Sequence, residues 1–124
     1  MGSKVEEACK EFGVGRLERH VLFCRGPDCC STEKGEAAWK YLKKRLKELG
    51  LSGRFGSVYR SKVDCLRICY EGPIMVVYPE GTWYHRVDEG KMERIIQSHL
   101  LQGKPLEKEA FAINPLNPPS YKKD

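Results

Sequence analysis

Apolar and polar positions along this chain alternate in runs short enough for strands and, twice, in spacings that fit a helix. His20-Val21-Leu22-Phe23-Cys24 is an apolar run closed by Gly26-Pro27-Asp28, and it predicts a first strand. From Gly35 to Leu49 the period lengthens. Trp39, Leu42, Leu46 and Leu49 recur at spacings of three, four and three, one stripe of a helix that Gly50 ends. Lys40, Lys43, Lys44 and Lys47 fill the polar remainder, either as solvated helix surface or as a docking patch for an acidic partner. Ser57 to Val63 predicts a second strand, polar enough for a sheet edge. Ile74 to Tyr78 is apolar on both faces, the signature of a strand covered on each side. Pro79-Glu80-Gly81 has turn chemistry, and Thr82 to Val87 returns as the antiparallel arm of a hairpin. Asp88 N-caps a last helix that buries Met92, Ile95, Ile96 and Leu100 and stops at Gly103.

The order is β-α-β, then β-β-α. A right-handed strand–helix–strand crossover makes its two strands parallel, and the hairpin adds antiparallel pairing. The expected fold is therefore α/β: a four-stranded mixed sheet flanked by helices on its two faces, a thioredoxin-like layout. This domain spans residues 20–103. Residues 1–19 form an N-terminal arm in which Val5, Phe12 and Leu17 are too scattered to decide between a short helix and a loose segment. Residues 104–124 form a proline-rich C-terminal tail containing Pro105, Pro115, Pro118 and Pro119, read as extended or mobile.

Composition narrows the class. With 124 residues, 40% hydrophobic and 31% charged, the chain has the size and balance of one globular domain. Its longest apolar run is too short to cross a bilayer, and the N-terminus lacks an apolar signal core, so a cytoplasmic protein is expected. Net charge is +5, from 22 basic and 17 acidic residues, which suits an acidic protein partner and does not by itself call for nucleic acid.

The six cysteines carry the chemistry. Four of them fall in two groups, Cys24-Arg-Gly-Pro-Asp-Cys29 and Cys65-Leu-Arg-Ile-Cys69, each at the end of a predicted strand. In a reducing compartment such clusters bind metal or act chemically rather than cross-link. Two loops at one end of a sheet bring four soft thiolates together, which suits zinc or an iron–sulfur cluster alike. The chain contains no Cys-x-x-Cys, the spacing typical of zinc knuckles and of thiol–disulfide exchange. Arg25 and Arg67 lie inside the two groups as cations for a negatively charged site, and Gly26 and Gly72 would let backbone amides approach it. His20, His85 and His99 have no metal-ligand spacing with one another, and no nucleophile–histidine pair, phosphate loop or carboxylate pair invites a catalytic reading.

Three stretches together, His20-Val-Leu-Phe-Cys24, Cys65-Leu-Arg-Ile-Cys69 and Gly72-Pro-Ile-Met-Val-Val-Tyr-Pro-Glu-Gly-Thr-Trp-Tyr84, resemble the thioredoxin-like [2Fe–2S] ferredoxins. The cysteine layout is similar to that of the small cluster-binding subunit of NADH:quinone oxidoreductases. The resemblance implies a one-electron carrier rather than an enzyme, often a homodimer, working between redox partner proteins; the short apolar runs and modest charge add the expectation of neither membrane insertion nor nucleic-acid binding. It implies Cys24, Cys29, Cys65 and Cys69 as ligands of a [2Fe–2S] cluster, with Cys30 the alternative to Cys29, and leaves Cys9 outside the site. The alternatives are a cluster-binding subunit of a larger oxidoreductase, and a zinc- or cluster-stabilised regulatory interaction module.

Overall fold

A computed structural model describes residues 3–116. The chain begins with a helix, α1 (Lys4–Phe12), which carries a full capping box: Ser3 accepts from the Glu6 amide while Glu6 accepts from the Ser3 amide. Residues 4–12 of the N-terminal arm are thus helical where apolar spacing left the matter open, because the information lies in the cap and not in a buried stripe. No residue of α1 is buried.

A mixed sheet follows, built from β1 (Arg19–Cys24), β2 (Val58–Val63), β3 (Ile74–Tyr78), β4 (Thr82–Tyr84) and β5 (Ala110–Ile113) in the order β2-β1-β3-β4-β5. β1 and β2 run parallel across the crossover helix α2 (Thr32–Glu48), and the other neighbours are antiparallel. The expected helix begins three residues early because Ser31 caps it, accepting from the Lys34 amide. The sheet has five strands rather than four. The fifth comes from the proline-rich segment, where Ala110–Ile113 pairs with β4 and Phe111 packs edge-on against Trp83. The remainder of that tail, 117–124, lies outside the described residues.

The return arm of the hairpin is shorter than the expected 82–87. Arg86 turns into the left-handed region (φ 49°), its amide donates to the Glu71 carbonyl, and the Val87 amide donates to the Pro73 carbonyl. Residues 85–87 therefore leave the sheet and close over the segment before β3. Asp88 then caps α3 (Glu89–Ile95), which continues as a π-helical segment, Ile96–Leu101, to the left-handed Gly103.

α2 and α3 share one face of the sheet instead of dividing between its two faces. Trp39, Leu42 and Leu46 from α2, and Met92, Ile95 and Ile96 from the last helix, pack with Val21, Phe23, Met75, Val77 and Tyr84 in one cluster. Alternation sends Cys24, Ile74 and Trp83 to the opposite side, where a small second cluster forms around the cysteines. β3 is buried on both faces, as its continuous apolar run requires.

Candidate metal centre

The two cysteine groups meet at one end of the sheet. Cys24 is the last residue of β1, paired with Val63 of β2 on one side and Ile74 of β3 on the other. Its thiol lies 3.4 Å from that of Cys29, and both residues are buried. The second group follows β2 directly. Cys65 and Cys69 have their sulfurs 3.9 Å apart and sit nearer the surface. Two thiolates on one tetrahedral metal with bonds of about 2.3 Å stand about 3.8 Å apart. Each pair is thus already spaced to hold one metal. The donors therefore come as one pair of thiols on each loop.

Local backbone chemistry explains the placement. Gly72 donates its amide to the Cys29 carbonyl at 2.8 Å, clamping the end of the second loop onto the first. A side chain there would meet the Cys29 sulfur at 2.6 Å, so only glycine permits the approach. Arg67, left-handed at φ 70°, points its backbone amide at the Cys65 sulfur, 3.2 Å away. A fixed N–H dipole there favours a thiolate. The expected contributions shift accordingly. Gly72 orders the loops instead of donating to sulfur, and the Arg67 amide supplies the bond to sulfur. The Arg25 guanidinium is held at 2.6 Å by Glu36 of α2, so much of its charge is neutralised.

Cys30 is the fifth thiol of the region. Its sulfur lies 3.9 Å from that of Cys29, and it lines, with Ser31, Lys34, Pro73 and Arg86, an open cavity of about 660 Å³ beside the two loops. Burial, the hydrogen bond to Cys24 and the charge of that neighbour push the Cys29 thiol up to about 12, and burial raises that of Cys30. The thiol of Cys69 is raised by its hydrogen bond to Cys65. Crowded thiols of this kind keep their protons until a metal takes the sulfur, so loading the site releases protons. Cys9 lies on α1 and belongs to neither pair.

The histidines stand outside the thiol pairs. His20 shares a hydrogen bond with Ser61 and His85 pairs with Glu71. His99 is buried between Tyr84 (2.9 Å) and Glu80 (2.9 Å), and two hydrogen bonds from Arg19 hold the same Glu80 carboxylate. That network braces the other end of the hairpin. Tyr84 extends it by accepting from the Leu106 amide, which anchors the start of the final segment.

No family model matches the chain. A protein of Priestia megaterium that carries a 2Fe-2S ferredoxin name is 33% identical over 92 residues, covering 74% of this chain and 68% of that protein. The chain belongs to the [2Fe–2S] ferredoxin family. A 2Fe-2S ferredoxin of Clostridium pasteurianum is 40% identical over 58 residues, 47% of this chain and 57% of the relative. Two solved structures of a thioredoxin-like [2Fe–2S] ferredoxin from Aquifex aeolicus superpose with TM-scores of 0.66 and 0.67 at 23% and 22% identity. They cover 84% and 77% of this chain and 97% and 98% of theirs, and they establish the fold as thioredoxin-like. The family's cofactor is a [2Fe–2S] cluster, and the two-plus-two thiols fit it.

Proposed function

We propose that this chain is a one-electron carrier in which Cys24 and Cys29 bind one iron of a [2Fe–2S] cluster and Cys65 and Cys69 bind the other. The observation that carries the assignment is the pair of sulfur separations, 3.4 and 3.9 Å, on two loops clamped together at Gly72. Cys29 is favoured over Cys30 because it is buried with its sulfur 3.4 Å from that of Cys24, whereas Cys30 is only half-buried and its sulfur is a step farther along, 3.9 Å beyond Cys29. When bound, the cluster accepts and releases a single electron. The protein's own contribution is to fix the sulfurs and to offset negative charge through the Arg67 amide. The buried pair shields one half, and the exposed Cys65 loop offers a short path to a partner.

The physiological reading is a cytoplasmic carrier rather than an enzyme, exchanging electrons with redox partner proteins, without nucleic acid or membrane insertion. Among the described residues no helix is long and apolar enough to cross a membrane. A homodimer fits the sheet face opposite α2 and α3, where Leu22, Tyr78 and Trp83 are only half buried and Phe111 is exposed. Anaerobic reconstitution with iron and sulfide, on the parent protein and on Cys29→Ser and Cys30→Ser, tests the ligand assignment. Two irons and two sulfides per chain are expected for the parent and for Cys30→Ser, with loss or spectral change in Cys29→Ser. The reverse pattern between the two variants makes Cys30 the ligand.

A further inference from the structure

The exposed face of α2 holds an excess of positive charge that the fold does not neutralise. Lys40, Lys43, Lys44 and Lys47 are all exposed, and each has another of the four three or four positions away, so each has like-charged neighbours along the helix. Two of the three acids on the same helix are turned elsewhere, Glu36 holding Arg25 and Glu48 holding Arg45, and the third, Glu33, lies in the first turn, seven positions before Lys40. Among the described residues none of the four lysines joins an ion pair. Stacked like charges weaken a helix, so local stability does not explain the arrangement.

The charge continues off the helix toward the metal centre. Trp39 of α2 lies under the Arg60 guanidinium (4.8 Å from the ring centroid) and the Lys62 ammonium (5.5 Å), both from the edge strand β2. These cation–π contacts fix two more positive groups beside the lysine face. Lys62 is in register with Phe23, immediately before Cys24, and is three residues from Cys65. One basic surface therefore runs from α2 across Trp39 to the strand that delivers the second cysteine pair.

We infer that this surface docks an acidic redox protein and guides it to the Cys65–Cys69 end of the molecule. The inference rests on the carrier reading above and adds the class of partner to it. Complementary charge next to an electron-transfer site raises the encounter rate and orients the complex without requiring tight binding.

The test compares two double variants of the cluster-loaded protein. Lys40→Glu with Lys44→Glu alters the patch; Lys104→Glu with Lys108→Glu alters exposed lysines just before β5, at the opposite sheet edge. Each pair changes two charges by two, taking the net charge from +5 to +1, so position is the only difference. Reduced flavodoxin serves as an acidic protein donor, and the methyl viologen radical cation as a small cationic one, both followed by stopped flow. A rate with flavodoxin that falls about tenfold at low salt in the patch variant alone is expected. The same rate should fall with added salt in the parent protein, while methyl viologen reduces every variant without loss of rate. Equal effects of the two variants, a rate indifferent to salt, or a cluster that methyl viologen reduces and flavodoxin does not, overturn the inference. So does binding of duplex DNA or phosphatidylserine vesicles through the same lysines with flavodoxin reduction unchanged. A protein lacking the visible spectrum of a cluster after reconstitution fails at the carrier reading instead, and is recognised before any kinetics.

Discussion

Gly72 shows how a single position holds the two halves of the site together. It has no side chain where one would collide with the Cys29 sulfur, and its amide closes the loops onto each other. Gly72→Ala is therefore expected to spoil cluster loading more than it spoils folding, read as iron per chain against the circular dichroism of the unloaded protein. Loading equal to the parent would show that the loops yield easily. At the far end of the hairpin, burial alone would raise the Glu80 carboxyl, yet hydrogen bonds from Arg19 and His99 bring it down to about 2. Burial lowers the imidazole of His99 against the opposing pull of Glu80. The signs give two windows. An unfolded histidine takes up a proton below about 6.5 that folded His99 refuses, so stability declines as pH falls through that value. Glu80 adds stability above 4.5, and that contribution is lost progressively toward pH 2. Urea unfolding midpoints between pH 8 and pH 3 should trace both declines in the parent. Glu80→Gln should flatten the lower one, and an unchanged profile would remove Glu80 from the account.

At the scale of elements, the legible parts of the chain were those whose burial writes a period. The stripe Trp39, Leu42, Leu46 and the doubly apolar β3 are both buried as their patterns require. Leu42, fully buried, should cost about 2–5 kcal/mol on truncation to alanine, measured by denaturant unfolding. Removing the Asp88 cap, which accepts from the Lys91 amide, should cost about 1 kcal/mol. α1 and β5 were hard to read for the same physical reason. α1 buries no residue, and most of β5 is exposed, so neither imprints a periodic apolar pattern. α1 is legible instead in Ser3 and Glu6, the two partners of its capping box. β5 depends on a contact distant in sequence, Phe111 on Trp83, which no local window contains. The cysteine pairs were legible because their spacing and their places after strands are both local. The left-handed Arg67 was not, since a non-glycine residue carries no mark of a positive φ.

For the whole molecule, the site joins segments that the sheet brings together from opposite sides of the α2 crossover. A cluster bound to both loops must then stabilise the fold, because the unfolded chain cannot present the four thiols in place. Removing iron with a chelator is expected to lower the thermal midpoint by more than about 5 °C, with the parent and Cys30→Ser responding alike. The central claim is that the four thiols carry a two-iron, one-electron centre. Low-temperature electron paramagnetic resonance of the reconstituted protein, before and after dithionite, tests it most directly. The account predicts a silent oxidised sample and a reduced sample with a single spin of one-half per two irons. A colourless protein that retains zinc through anaerobic reconstitution, or a reduced sample without that spin, would contradict it.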